Sequence, residues 1–419
     1  MLRIIINSYT CCPNMGSEPG MGWNWIINLA RYCEVYVISE GEYREQCEDG
    51  AKGLPIHWYW NPIGGNDRGE CERIRKMCWN QGDWRFYRYY ERWQRKTADI
   101  ARDICGKNKI DILHQLNMIG FREPGYLWQV SKESGIPFVW GPVDAKGAFP
   151  MKYVEGAPLK NRIFLSVKNI ITELQLRYGC RVRKSVKQAS LILAANSNSV
   201  RSIKRYFDVN CVLMNETGCD SIVSNKQFTK SKIESNELSL LWVGKLDFRK
   251  QLSIAIRTIA ELKEKKITLH VLGSGDSDVY KELALKLGIS AKIIWHGLVA
   301  HSEVQRLMYE SDALFFTSVA EGTPHSVLEA ISNGLPVICF DTCGQGDVVD
   351  SSVGIKIPLT TPSGSVKTFA EKIEYLYNNR DELVRMSENC IMCAEKNYWD
   401  KKAQHVVSLY DNLLAKSHE

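Results

Sequence analysis

One pattern recurs along this chain and constrains it more than any other. Short apolar, β-branched runs each lead into a polar or glycine-containing loop, and most then into an amphipathic segment. The pattern occurs in two stretches. In the first, LRIIIN, VYVIS, IHWYW, DILHQL, PFVWGP and SLILAAN read as strands; in the second, LSLLWVG, TLHVLG, AKIIWHG, ALFFTS and LPVICFD do. Helical runs in the second stretch include Leu252–Lys265, Tyr280–Leu287, Ser302–Glu310 and Val327–Ser332. Strands alternating with helices predict an α/β chain with parallel sheets covered on both faces. At 419 residues the chain is too long for one ordinary core,. It suits two doubly wound, Rossmann-like domains facing across a cleft at their strand C-termini. The predicted division is 1–216, a polar linker 217–237, a second domain 238–397, and a helix within 398–419 that crosses back to the first domain.

Bulk properties narrow the function. Apolar content of 44% with 24% charged residues is globular,. A formal charge of +6 permits anionic partners such as nucleotides but is too mild to indicate a nucleic-acid binder,. The start, MLRIIINSYT, turns polar at Asn7 and reads as a first strand rather than a signal peptide,. No stretch approaches the ~20 apolar residues of a membrane-spanning helix. Fourteen cysteines without a secretory signal imply reduced thiols and a cytoplasmic location,. Cys390 and Cys393 form a C-x-x-C inside a helical pattern, which reads as a packed face.

The chemistry centres on ALFFTSVAEGTPHSVLEA (313–330). An apolar strand ends near Thr317, a loop carries Glu321 and Gly322, and a helix follows. Thr323 suits the N-cap and Pro324 the first helical position. The amides of His325, Ser326 and Val327 would then face outward at a positive helix end, ready for an anion. Two glutamates eight apart invite a glycosidase reading, but eight helical residues rise ~12 Å, against the ~5 Å between carboxyls of a retaining hydrolase. Separate roles for Glu321 and Glu329 fit better. The plain alternative is a capped helix with two surface glutamates.

Other segments point the same way. SLLWVGKLDFRKQ ends a strand at Gly244 and then presents Lys245, Arg249 and Lys250, where a diphosphate would lie at a strand's C-terminal end,. Read alone it is also an ordinary solvated basic loop. LHVLGSGD brings Gly273 and Gly275, which allow close backbone approach; IIWHGLV ends at Gly297 and Leu298, whose main chain could read a base.

Taken in order, these segments together with GLPVICFDTCGQGDVV resemble the donor half of retaining glycosyltransferases of family 4 (glycosyl transferases group 1), which have the GT-B fold. The resemblance implies that Lys245, Lys250 and Arg249 hold the donor diphosphate and that Glu329 takes the ribose hydroxyls. It places Glu321 at the transferred sugar, with Gly322, Thr323, His325, Ser326 and Val327 wrapping sugar and phosphates. Gly273, Gly275, Gly297 and Leu298 would complete the nucleotide site. Two residues depart from the family pattern: Lys245 stands where many relatives have arginine, and Gln251 where they commonly have glycine.

In the N-terminal half, TCCPNMGSEPGMGWNWIINLA reads as a glycine-rich loop followed by a helix from about Gly22. A dinucleotide-binding turn is disfavoured, because Trp25 stands where the third glycine belongs. The GSEPGMGW string resembles the interdomain loop of some family 4 members, which assigns Gly16, Ser17, Glu18 and Gly20 to the acceptor side. His114 ends the strand DILHQL, where relatives often carry a histidine near the reacting sugar; a hydrogen-bonded structural histidine is the alternative. Cys78–Ala98 interleaves aromatic and basic residues, and the Lys160–Lys187 segment mixes apolar and basic ones. Both suit the inner face of the cytoplasmic membrane, or ordinary helices packed on a core.

The activity implied is transfer of a sugar from a UDP- or GDP-sugar to a hydroxyl of a saccharide or lipid-linked acceptor. Anomeric configuration would be retained, without metal or other cofactor, in a setting such as bacterial surface polysaccharide synthesis. Glu321, His114 and Lys250 are the catalytic candidates. The competing readings are a non-catalytic nucleotide-sugar-binding or assembly protein, and an epimerase or phosphorylase on the same fold.

Overall fold

The computed structural model describes residues 1–78, 83–145, 147–154, 157–220 and 236–416. These form two compact units: Met1–Lys146 with Glu173–Glu216 and Trp399–Glu419, and Gly147–Thr172 with Thr217–Tyr398.

The first unit is built on seven parallel strands: β1 (Leu2–Ser8), β2 (Cys33–Ser39), β3 (Ile56–Trp60), β4 (Ile112–Asn117), β5 (Phe138–Val143), β6 (Leu191–Ala194) and β7 (Val212–Leu213). Their order across the sheet is β3-β2-β1-β4-β5-β6-β7. Ile4, Ile5 and Ile6 have no solvent exposure, as a parallel strand covered on both faces requires. The C-terminal helix Trp399–Lys416 belongs to this unit. Its Trp399, Ala403, Val406 and Tyr410 share a core with Trp25 and Val35, and the rings of Trp25 and Trp399 meet edge-on at 5.6 Å.

The second unit carries β8 (Leu238–Val243), β9 (Ile267–Leu272), β10 (Ile293–Gly297), β11 (Ala313–Phe316), β12 (Val337–Phe340) and β13 (Gly354–Ile357). Their order is β10-β9-β8-β11-β12-β13, again all parallel. The segment Gly147–Thr172 groups with this unit, whereas the sequence placed all of 1–216 together. The reason is Tyr153. Its ring is buried in the second unit's core, its hydroxyl meets Ser365 Oγ at 2.8 Å, and its carbonyl accepts from Gln251 Nε2 at 2.7 Å. Most of the predicted linker, residues 221–235, lies outside the described residues.

His114 is a second point of difference. It sits in β4 with no solvent exposure, not at an open strand end. Nε2 lies 2.6 Å from the Gly141 carbonyl and Nδ1 2.6 Å from the Tyr410 hydroxyl. A carbonyl can only accept, so Nε2 carries the proton and Nδ1 accepts from Tyr410. Both nitrogens are used inside the core, and His114 leaves the catalytic set.

Burial lowers the His114 pKa to about 4, against the small opposing pull of the Gly141 bond. The unfolded chain therefore binds this proton first. The stability linked to His114 is complete above about pH 6.5 and is lost as pH falls from there toward 4, by on the order of 3 kcal/mol. Glu18, raised to about 7 by burial, contributes the opposite slope, losing stability as pH rises from its unfolded value through 7. We expect His114→Gln to be less stable than wild type in urea at pH 7.5, with the gap closing by pH 5. A pH-independent gap between the two proteins would refute the assignment.

Candidate functional site

In the second sheet the strand order reverses between β8 and β11. In doubly wound sheets, ligands bind outside the strand C-termini at such a point. Two loops meet there. After β8, Gly244 leads to a single tight turn, Phe248–Lys250, capped by Asp247, whose side chain accepts from Arg249 N at 2.8 Å. After β11, Thr317 Oγ1 donates to the Lys250 carbonyl at 2.8 Å, and Val319 N to the Arg249 carbonyl at 3.1 Å. One side-chain and one main-chain donor thus lock the second loop onto the carbonyls of the first.

The side chains converge at the same place. Lys250 Nζ lies 2.7 Å from Glu321 Oε1, with 17% and 20% of the two side chains exposed. Ser318 Oγ donates to the same oxygen at 2.6 Å, and the Lys250 ammonium sits 5.0 Å from the Phe316 ring centre. A cation and a carboxylate this desolvated are a strong pair whose partners are costly to remove singly. Arg249 pairs with Asp247 at 2.7 Å. Lys245 is exposed.

Gln251 explains its departure from the family pattern. Its φ is +52°, a left-handed conformation that costs a side-chain-bearing residue roughly 1–2 kcal/mol. The buried Gln251 amide offsets this by donating to the carbonyls of Tyr153 and Phe248 at 2.7 and 2.6 Å. Glycine reaches the same conformation without such support.

The helix that follows starts at His325 and runs to Ser332. Pro324 occupies the N-cap position instead of the first helical one, so Thr323 stands one residue before the cap. Thr323 is buried; a Cβ added to Gly344 would come within 2.4 Å of its Oγ1. The Val327 amide is not open either, because it donates to the Pro324 carbonyl at 3.1 Å. His325 and Ser326 hold the open helix end. The His325 ring meets Thr217 Oγ1 at 3.2 Å, and burial lowers its pKa against the pull of Glu329. Glu329, about a third exposed, lies 3.3 Å from His301 Nε2.

Two predicted glycines show why they must be glycine. Gly273 has φ +147°, and a Cβ there would stand 1.7 Å from the Gly244 carbonyl oxygen; one on Gly275 would meet Leu246. Gly273 N donates to the Gly297 carbonyl at 2.8 Å. The ends of β9 and β10 are thereby packed against the loop after β8. Leu298, next to Gly297, is 81% exposed. Asp276 and Asp278 form an Asp-x-Asp just beyond, yet both are exposed and Asp276 caps the amide of Asp278 at 2.9 Å. Among the described residues no group of three or more His, Cys, Asp or Glu could hold a metal ion.

Cys343 and Gly344 were not among the predicted site residues, although they lie in a segment that carried the resemblance. Glu321 N donates to Cys343 Sγ at 3.4 Å, and Gly344 N to the Gly322 carbonyl at 2.9 Å. The loop after β12 therefore props the Glu321–Gly322 backbone from behind.

In the first unit, the segment expected as a loop is already helical from Ser17. Gly16 precedes it, and a Cβ on Gly20 would stand 1.7 Å from the Met15 carbonyl oxygen. Glu18 is half-buried, accepting from Ile119 N at 3.1 Å. A cavity of about 460 Å³ opens beside this helix start, lined by Met15, Gly16, Ser17 and Pro19 together with Glu42, Tyr43, Glu72, Arg75 and Lys76.

Residues 223–391 match the family described as Glycosyl transferases group 1. An uncharacterized glycosyltransferase of Methanocaldococcus jannaschii is 26% identical over 42% of this chain and 46% of its own length. The chain thus spans less than half of the curated relatives it matches most strongly. The solved apo form of the lipopolysaccharide outer core galactosyltransferase WaaB aligns over 100% of both chains, with a TM-score of 0.65 and 16% identity. The fold is GT-B. HepE of Anabaena, solved with UDP and glucose, aligns over 98% of this chain and 100% of its own, with a TM-score of 0.59 and 16% identity.

The GT-B second unit depends on the close approach at Gly273. Gly273→Ala should lower the melting temperature by several degrees, as expected for a ~2 kcal/mol backbone clash. A melting curve matching wild type would show that the β8–β9 junction tolerates a side chain.

Proposed function

We propose that this protein is a retaining glycosyltransferase that moves a sugar from a nucleoside diphosphate to a hydroxyl of a saccharide or lipid-linked acceptor. One observation carries the reading: the desolvated Lys250–Glu321 pair at the strand-order reversal of a sheet whose sequence matches a glycosyltransferase family. The complexes of HepE with UDP and glucose support a uridine nucleotide as donor. Fourteen free cysteines suit a reducing, cytoplasmic setting,.

In this reading Lys250, with Lys245 and Arg249, neutralises the donor diphosphate, and the His325 and Ser326 amides add the positive helix end. Glu329 takes the ribose hydroxyls. Glu321 faces the transferred sugar, orienting it by its carboxylate. Bond cleavage between the anomeric carbon and phosphate oxygen leaves charge on the diphosphate, where Lys250 is already placed. The acceptor oxygen bonds the same face of that carbon, and its proton goes to the departing phosphate oxygen. No protein nucleophile or metal is required, since the cations stabilise the charge directly. Each such donor is worth about 3 kcal/mol in a water-poor site.

Glu321 plays two parts. Without donor it holds Lys250; with donor it must share the ammonium with phosphate. Glu329→Ala and Lys250→Ala should each weaken nucleotide binding at least tenfold in calorimetry, with the fold intact. Glu321→Ala should lose transfer by roughly a hundredfold or more while binding nucleotide nearly as well. Wild-type nucleotide affinity in both of the first two variants would overturn the site. Tight donor binding by wild type, with no turnover on any acceptor and no hydrolysis, would favour a non-catalytic nucleotide-sugar-binding protein instead.

A further inference from the structure

The helix Leu159–Tyr178 presents an apolar face that nothing in the described structure covers. At about 100° per residue, Leu159, Ile163, Phe164, Val167, Ile170 and Ile171 fall within one arc of roughly 140°. All six are exposed, with Ile163 at 57%, Phe164 at 62% and Ile170 at 61%. They lie in the part of the helix that belongs to the second unit. The opposite side does the anchoring: Leu165 and Thr172 are buried, and the Asn169 side chain bonds both the amide and the carbonyl of Phe149 at 2.8 and 3.0 Å. The helix therefore has one apolar side committed to the fold and a larger one left over.

A solvent-facing stripe of isoleucine, leucine and phenylalanine is not what an ordinary surface helix displays. Its charges say what it fits. Between Leu159 and Thr172 stand Lys160, Arg162 and Lys168, and no aspartate or glutamate. A second copy of the chain docked face to face would set these cations against their own kind. An anionic bilayer satisfies both halves of the face, since the apolar stripe sinks to the acyl boundary while lysine and arginine reach the headgroups. We infer that the Leu159–Ile171 face of this helix seats the protein on an anionic lipid surface. The docking is independent of sugar transfer and puts the chain where a lipid-linked acceptor would be presented.

The test is flotation of the full chain with phosphatidylcholine vesicles and with vesicles containing about a third phosphatidylglycerol. Wild type should float with the anionic vesicles, and severalfold less with neutral ones or at raised salt. The triple variant Ile163→Ser, Phe164→Ser, Ile170→Ser should partition at least tenfold more weakly, with an unchanged melting temperature because all three sites face solvent. Should that variant misfold, Lys160→Glu, Arg162→Glu, Lys168→Glu supplies the same comparison through charge alone. Failure of wild type to float, flotation indifferent to both variants, or a wild-type dimer that the serine variant dissolves in place of vesicle binding would each overturn the inference. No sugar donor enters the assay, so its outcome is separate from that of the transferase reading.

Discussion

The second unit is organised around the junction of the loops after β8 and β11. Lys250 enters it twice, once through its carbonyl, which accepts from Thr317 Oγ1 at 2.8 Å, and once through its ammonium on Glu321 at 2.7 Å. The backbone bond fixes where the side chain starts, and the ion pair fixes where it ends. Trp242 Nε1 donates to Thr317 Oγ1 at 3.0 Å, which carries the same constraint down into β8. A charge placed this way is preorganised, held at both ends before any ligand is considered. The cost is a cation and a carboxylate held mostly out of water, tolerable because each already has the other.

Around this junction, glycines serve the chain before they serve any ligand. The sequence suggests that Gly273 and Gly275 admit a close approach, and the approach is of the protein's own Gly244–Leu246 backbone. Gly344 does the same for Gly322 and Thr323. Such packing draws three loops into one surface, so that a binding residue on one is positioned by main chain from the others. Gln251 is the instructive exception. A left-handed residue with a side chain survives there because its amide finds two carbonyls, one of them on Tyr153.

What the sequence made legible follows from period and length. Short runs rich in apolar and β-branched residues announce themselves, and the strands expected on that basis form. β7, with two residues, and β13, a Gly-Ile-Lys-Ile run, fall below what a periodic pattern can reveal. The grouping of Gly147–Thr172 with the second unit rests on the aromatic rings of Tyr153 and Phe149, which no local pattern distinguishes from exposed ones. The start of the helix at Ser17 was hidden by its own glycines and proline, which usually mark loops. Here Gly20 and Gly22 lie inside a helix because the preceding loop crosses directly against it.

That Lys250 and Glu321 lie close together follows from each standing just past an apolar strand, on neighbouring strands of one sheet. His114 was misread. A histidine within an apolar strand looks the same in sequence whether it faces a ligand or the core, and the difference lies in partners 27 and 296 residues away, the Gly141 carbonyl and the Tyr410 hydroxyl. Tyr410 sits on the C-terminal helix, so the same contact that silences His114 ties that helix to the first sheet. A polar group buried in a core must be fully bonded to be tolerated, and satisfying His114 specifies where the last helix docks. The strand histidine is thus a positioning device for the fold, held by its two partners inside the first sheet's core.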